Sequence, residues 1–227
     1  MALSLGLLIR AYSKPITGDI VKQFKTIHIS VMTGKLEGLR AISTNTTTNL
    51  FCIKQNKSEQ PDNICTKCYS HTMLNGYRKN MAPALERNSV ALSTRVISGV
   101  DIPRLNDAYF RLDAHGELIN NLHLENLVRI AVANPQTTIT LWTKRKDIVN
   151  KVMAVTAKPS NMIFVFSNSK IGTILDVAPK HFDKTFNNVL VTEFVDRQNC
   201  TGQKCMDCLK CYTHNDTVAI VEAVKKY

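Results

Sequence analysis

Long apolar runs are missing from this sequence. No segment approaches the about 18 continuous apolar residues of a membrane helix. The apolar stretch Met1–Ile9 has no basic residue before it and is too short to span a bilayer, so it is expected to be a buried strand or short helix rather than a signal peptide. Also missing are the Walker loop, the Rossmann glycine fingerprint, the G-x-S-x-G elbow and the HExxH pair, which removes the best-marked nucleotide-binding and hydrolytic classes. No internal repeat or low-complexity tract points to a solenoid or a disordered arm. Acid is scarce: 18 Asp+Glu face 29 Lys+Arg, a formal charge of +11. That surplus favours an anionic partner such as nucleic acid or a nucleotide. A generally basic surface is the plain alternative, since no Lys/Arg run exceeds three residues. Nothing marks an oligomeric state.

What is present suits a globular protein located in the cytoplasm. At 227 residues it is long enough to bury a core without disulfides. A single domain is expected over 1–227, with N-terminal strands in 1–50, a β/α core in 51–195, and a cysteine-rich tail with a C-terminal helix in 196–227. Thr44–Asn49 reads as a loop or edge strand and Gln55–Asn63 as a loop. From Ala108 onward the pattern alternates. Strands are expected at Ala108–Leu112, Thr137–Trp142, Asn161–Phe166 and Asn188–Val195, with helices at Ile119–Ala133 and Lys146–Ala157 between them. Leu124, Leu127, Val128 and Ala131 line one helical face, and Asn134-Pro135 stops that helix. This alternation predicts an α/β fold, an incomplete β/α barrel-like parallel sheet with helical crossovers. In such sheets ligands sit beyond the carboxyl ends of the strands. The segments Asp113–Glu117, Thr143–Lys146 and Ser167–Ser169, and the cysteine-rich tail, would then share one rim.

The seven cysteines form two groups: Cys52, Cys65 and Cys68, and then Cys200, Cys205, Cys208 and Cys211. Four thiols within twelve residues form a concentrated donor set. Sulfurs two residues apart can converge on one metal or on neighbouring irons, with the turn's N–H groups facing them. In a reducing compartment such clusters read as metal or redox sites, not as a disulfide framework. Three readings stay open. An iron–sulfur reading, with one or two [4Fe-4S] clusters, suits the three-plus-four split, because a three-cysteine cluster leaves one iron open and a four-cysteine cluster is closed. Structural zinc needs only four ligands and can recruit His71 or His214. The third reading is unligated core or redox cysteines.

Other residues carry weaker signals. Asp113, His115 and Glu117 alternate and share a face of an extended strand end; the plain alternative is a solvated turn with Gly116 at positive φ. Lys144, Arg145 and Lys146 can clamp a carboxylate or phosphate; the alternative is a solvated helix start, although cations there oppose the helix dipole. Arg111, inside an apolar strand, is expected either to pair with an acid in the interior or to face water at an edge. His28, His123 and His181 read as structural.

At these residues the sequence resembles the phage family called gene product 88. The resemblance rests on Leu36-Glu-Gly-Leu39 leading into Cys52, on Cys65-x2-Cys68-Tyr69, on Phe110-Arg111 with Gly116-Glu117, on Trp142-Thr143-Lys144, and on the C-x2-C-x2-C-Tyr212 tail, in that order over about residues 30–212. Two departures stand out: Ile53 follows Cys52 where members carry proline, and Gly116-Glu117 stands where they often carry Gly-Asp. That family is similar to a reduced form of the radical S-adenosylmethionine enzymes, although the usual C-x3-C-x2-C trio is absent here. The resemblance implies that Cys52, Cys65 and Cys68 hold a cluster whose open iron binds S-adenosylmethionine. His115, Gly116 and Glu117 would lie in the cofactor position, with Lys144 beside them. A non-catalytic, zinc- or cluster-stabilised protein that binds nucleic acid or a host partner is the alternative function.

Overall fold

A computed structural model describes residues 27–192 and 195–224; the stretch Met1–Ile9 lies outside the described residues. Seven strands form: β1 (Ser30–Val31), β2 (Arg40–Ile42), β3 (Tyr109–Leu112), β4 (Thr138–Thr143), β5 (Met162–Ile171), β6 (Lys184–Leu190) and β7 (Ala219–Val224). They make one sheet whose spatial order is the chain order. β1 is antiparallel to β2, and every later pair of neighbours is parallel. Parallel neighbours need long crossovers. Between β2 and β3 run α1 (Leu50–Asn56), α2 (Tyr69–Asn75) and α3 (Ala82–Thr94). The next two crossovers are α4 (Asn121–Val132) and α5 (Lys146–Met153). The mixed α/β architecture with a mostly parallel sheet and helical crossovers is therefore as expected.

Period-2 alternation splits the strand side chains between two cores. Phe110, Leu112, Ile139, Leu141, Met162 and Phe164 face the helices and pack against Leu92, Leu124, Leu127, Ile148 and Val152. Ile163, Val165, Phe186 and Ile220 face the other way and are covered by Leu39, Cys211 and Tyr212. The cover is the β6–β7 crossover, which includes the short helix α6 (Cys205–Cys208). Its residue Cys200 bridges Glu222 alongside β7. At the far end of the sheet, the turn after β1 reaches the same place. Lys35 pairs with Glu222 of β7, and Glu37 pairs with Lys204 at 3.1 Å.

The structure corrects three expectations. The strand expected at Asn188–Val195 starts earlier, at Lys184, because the polar residues of KTFNNVL find partners inside the fold. Lys184 Nζ donates to Asn215 Oδ1 (2.9 Å) and to the Thr217 carbonyl (2.8 Å), and Asn187 Nδ2 donates to Thr185 Oγ1 (3.0 Å). Among the described residues the expected C-terminal helix does not form: Ala219–Val224 is strand β7, whose pairing with β6 buries Ile220 and Val221. Thr44–Asn49 is a loop and turn leading into α1, not an edge strand, and α1 continues to Asn56 into the segment expected to be loop.

Candidate functional site

Three asparagines build the scaffold of the first cysteine group. The Asn49 side chain caps α1 by accepting from the Phe51 and Cys52 amides, which fixes Cys52 in the first turn. Asn63 Oδ1 accepts from the Cys65 amide (3.0 Å), and Asn56 Nδ2 donates to the Cys65 carbonyl (3.0 Å). The Cys68 amide donates back to the Cys65 carbonyl (3.2 Å), closing the turn that starts α2. These are local side-chain-to-backbone bonds of the kind that asparagine favours at caps and turns.

The carboxyl ends of the strands complete the site. A cavity of about 180 Å³ is lined by Cys52, Cys65 and Cys68 on one side. Opposite them are Thr46 after β2, Asp113–Gly116 after β3, Lys144 after β4 and Ser167 of β5, with Arg111, Trp142 and His71 in the wall. The rim rule for parallel sheets thus places the trio beside most of the segments singled out in the sequence. Seven buried polar side-chain atoms lack a hydrogen-bond partner among the described residues, and five of their residues line this cavity: Thr46 Oγ1, His71 Nδ1, Arg111 Nε, Asp113 Oδ2 and Trp142 Nε1. Buried polar atoms are normally satisfied, so such a concentration marks space shaped for a polar guest.

The residues around the cavity divide by role. Thr44 is the hinge pin. Its amide donates to the His115 carbonyl (2.9 Å), its hydroxyl bonds Asp113 Oδ1 (3.2 Å), and the Glu117 amide donates to that hydroxyl (3.3 Å). Gly116 (φ +95°) lies so close that a Cβ would meet the Thr44 carbonyl oxygen at 2.6 Å. His115 Nδ1 meets Ser70 Oγ (3.1 Å), and Lys144 Nζ donates to Ser167 Oγ (2.7 Å). Glu117 points away from the cavity. Its carboxylate accepts from the Leu118 amide (2.8 Å), the Lys144 amide (2.7 Å) and the Thr143 hydroxyl, bracing the end of β3 to the end of β4. Of the expected cationic clamp, only Lys144 lines the cavity. Arg145 turns to Asp147 (2.8 Å) and lies over Phe51, and Lys146 is exposed at the start of α5. Arg111 neither pairs with an acid nor faces open water. Its guanidinium sits 4.2 Å from the Trp142 ring centroid and reaches the Tyr212 hydroxyl at 3.4 Å, so the π face carries it.

The second group lies elsewhere. All four of Cys200, Cys205, Cys208 and Cys211 line one small hollow of about 20 Å³ beneath Tyr212 and Ile220. That hollow lies against the sheet face that packs on the tail, not on the rim, so the expectation of one shared rim is corrected. The tail threads across the sheet before forming β7. Leu209 (φ +52°) turns the chain from α6 toward Cys211. Lys35 Nζ lies 3.8 Å from Cys200 Sγ, and Gln203 Nε2 lies 3.5 Å from Cys208 Sγ. His214 turns outward to the Ser160 carbonyl (3.3 Å), away from the hollow.

Electrostatics treat the two groups alike. Burial pushes the Cys52 and Cys65 thiols up, with Lys144 pulling Cys65 the other way. Burial raises Cys200 and Cys205, and carries Cys211 to about 12, against the pull of Arg111 on Cys205 and Cys211. Neighbouring thiolates of the same group add to the rise of Cys52, Cys65, Cys200, Cys205 and Cys211, so the sulfurs within each group are electrostatic neighbours. Burial lifts Asp113 well above the carboxylate range, and it lowers His115 to about 4. Among the described residues, no three His, Cys, Asp or Glu side chains stand close enough to hold a single metal ion.

Sequence reasoning missed Thr46, Ser70 and Trp142 as parts of the wall. One signal was available. The polar tract TNTTTN is too rich in hydroxyls and amides for a plain surface loop, and the fold buries Thr44, Asn45, Thr46 and Asn49 of it while Thr48 stays exposed. The family model described as gene product 88 matches residues 33–214, a span that takes in both cysteine groups and the rim cavity. No curated protein and no solved structure matches the chain.

Proposed function

The chain belongs to the gene product 88 family, and we propose that it is an iron–sulfur protein with two separate thiolate centres. In this reading the rim centre is a reaction site and the tail centre is a closed one. The sheet, with its ends brought together at Lys35 and Glu222, acts as an incomplete barrel around the tail. The observation that carries the reading is the shared wall: the trio and five residues that each bear a buried polar atom without a hydrogen-bond partner among the described residues line one cavity.

The residues suit such a group. Bound metal deprotonates buried thiols that are otherwise held neutral. Lys144 beside Cys65 and Arg111 near Cys205 and Cys211 offset the negative charge of thiolate-ligated clusters. Tetrahedral zinc requires sulfurs about 3.8 Å apart, whereas a cluster spreads its thiolates over a cube and needs less inward movement. With three protein ligands, a rim cluster supplies an open iron and one-electron chemistry. The chain's own groups do the rest. Lys144 and Arg111 present cations to an anionic guest, Asp113 and Thr46 offer acceptors to its donors, and Trp142 and Phe51 exclude water. S-adenosylmethionine, which carries both a carboxylate and an amino group, fits this donor–acceptor division, with Asp113 rather than Glu117 facing the guest. One observation bears on the zinc alternative as well: His71, with Nδ1 buried and unpartnered among the described residues, lines the trio's cavity, although the three thiols and this imidazole would have to move inward to share one ion.

Anaerobic purification followed by iron, sulfide and zinc counts per chain tests this. Brown protein with matched iron and sulfide supports the reading, and colourless protein carrying zinc alone refutes it. Reduced, cluster-loaded protein given S-adenosylmethionine should yield 5′-deoxyadenosine; its absence under competent reduction removes the radical chemistry but leaves the clusters.

A further inference from the structure

We propose that the trough leading out of the rim cavity seats a single strand of nucleic acid. The trough has a volume of about 380 Å³, and its wall includes Lys35, Lys67, Arg111 and Lys144 together with Tyr69 and Trp142. Glu222 is the one acid in that wall, and Lys35 already neutralises it. The ion pairs among the described residues lie elsewhere on the surface or at that one point, and none engages Lys67, Arg78, Lys79, Arg111 or Lys144. With Lys35 and Glu222 cancelling, Lys67, Arg111 and Lys144 leave the trough wall net basic, which favours a polyanion there.

Charge alone would suit any polyanion; the aromatics narrow the choice. Tyr69 and Tyr77 are 56 % and 68 % exposed, unusual for large rings with no core to join. Their hydroxyls bond each other at 2.5 Å, which holds both side chains in place, and the Arg78 guanidinium lies 6.0 Å from the Tyr77 ring centroid. Exposed rings fixed beside unpaired cations form the stacking platform and electrostatic funnel of single-strand binders. Bases in a duplex are stacked on one another and closed to such rings, and an acidic peptide would use the cations but leave the rings idle. The inference rests on the proposed function only in taking this as the protein's working face. Metal counts test that reading, and the binding assay below tests this one.

Fluorescence anisotropy of the anaerobically purified full chain with a labelled oligothymidylate of about sixteen nucleotides is the test. The same titration is run with a labelled duplex of equal length and with polyglutamate as competitor. The expected result is salt-dependent binding that prefers the single strand. Tyr69→Ala/Tyr77→Ala should weaken it at least about five-fold with little change in salt dependence. Lys67→Ala/Arg78→Ala should flatten the salt dependence by about 0.7 for each phosphate left without its cation. Lys151→Ala, on the exposed side of α5, should bind as the parent does. Because Tyr69 adjoins Cys68, Tyr77→Ala alone, outside the trough wall, keeps the test valid if the double variant loses its fold. No binding at low salt, equal affinity for duplex, full displacement by polyglutamate, or parent-like binding by folded Tyr77→Ala would each overturn the proposal.

Discussion

Replacing Gly116 with alanine separates two reasons for a glycine at the rim. Gly116 and Gly202 share nearly the same backbone, at φ +95° and +90°, a region that side chains rarely adopt. An alanine at either position carries that strain, about 1–2 kcal/mol. Around Gly202 a Cβ meets nothing within 4 Å, whereas at Gly116 it meets Thr44 Oγ1 at 2.0 Å, the Thr44 carbonyl oxygen at 2.6 Å and its carbon at 2.8 Å. Rotating the Thr44 side chain relieves only the first of these clashes. The other two involve backbone, so the β2 and β3 loops must move apart at a further cost of about 1–3 kcal/mol. The expectation is therefore about 1–2 kcal/mol lost in Gly202→Ala and about 2–5 kcal/mol in Gly116→Ala. Urea unfolding of parent and variants with matched metal content reads the difference, provided the transition midpoints move without a change in slope. Equal losses in the two variants would refute the close approach of Thr44 to Gly116, and with it the geometry of the rim.

Three further outcomes are expected. If the two cysteine groups, which line separate hollows, hold separate clusters as proposed, Cys65→Ser and Cys205→Ser should each remove only part of the iron that the parent carries, and their losses should add; a single variant that strips all of it would mean one shared centre. Burial lowers His123 from about 6.5 to about 3, so the unfolded chain takes up that proton first. Its contribution is intact above pH 6.5 and falls by about 1.4 kcal/mol per pH unit between there and its folded pKa; His123→Gln should flatten that part of a stability–pH curve, and an unchanged curve would contradict it. Asn126, fully buried, accepts from the Ile97 amide (3.0 Å) and donates to the Leu92 and Arg95 carbonyls (2.8 Å each), so Asn126→Ala should cost about 2–4 kcal/mol in thermal unfolding.

The parts of the fold that could be read in advance are those where local pattern and tertiary burial agree. β4 and β5 are β-branched and aromatic runs, and α4 shows a clean apolar stripe ended by Asn134-Pro135, so each falls within a few residues of its expected start. β6 resisted because its polar residues depend on distant partners: Lys184 on Asn215 and Thr217, and Asn187 on the β7 backbone. β7 resisted because AIVEAV suits a helix or a strand, and only the β6 edge decides between them. At the site, spacing was enough to group the cysteines and to pick out Lys144 and the Asp113–Glu117 segment. It could not show that Glu117 turns inward while Asp113 faces the cavity, because that depends on Thr44 and Gly116 meeting across two loops. Arg111 could not be placed without knowing that Trp142 and Tyr212 would flank it.

The route of the tail has a further consequence for assembly. Residues 199–213 cross the sheet before the chain enters β7, so the pairing of β7 with β6 also pins the lid in place. The pairing of Lys35 with Glu222 spans 187 positions, so closing it while the chain between is still unfolded carries a large loop-entropy cost. A nascent chain stopped at Tyr212 would leave Ile163, Val165 and Phe186 without their full cover and β6 with an open edge, making it prone to associate with other chains.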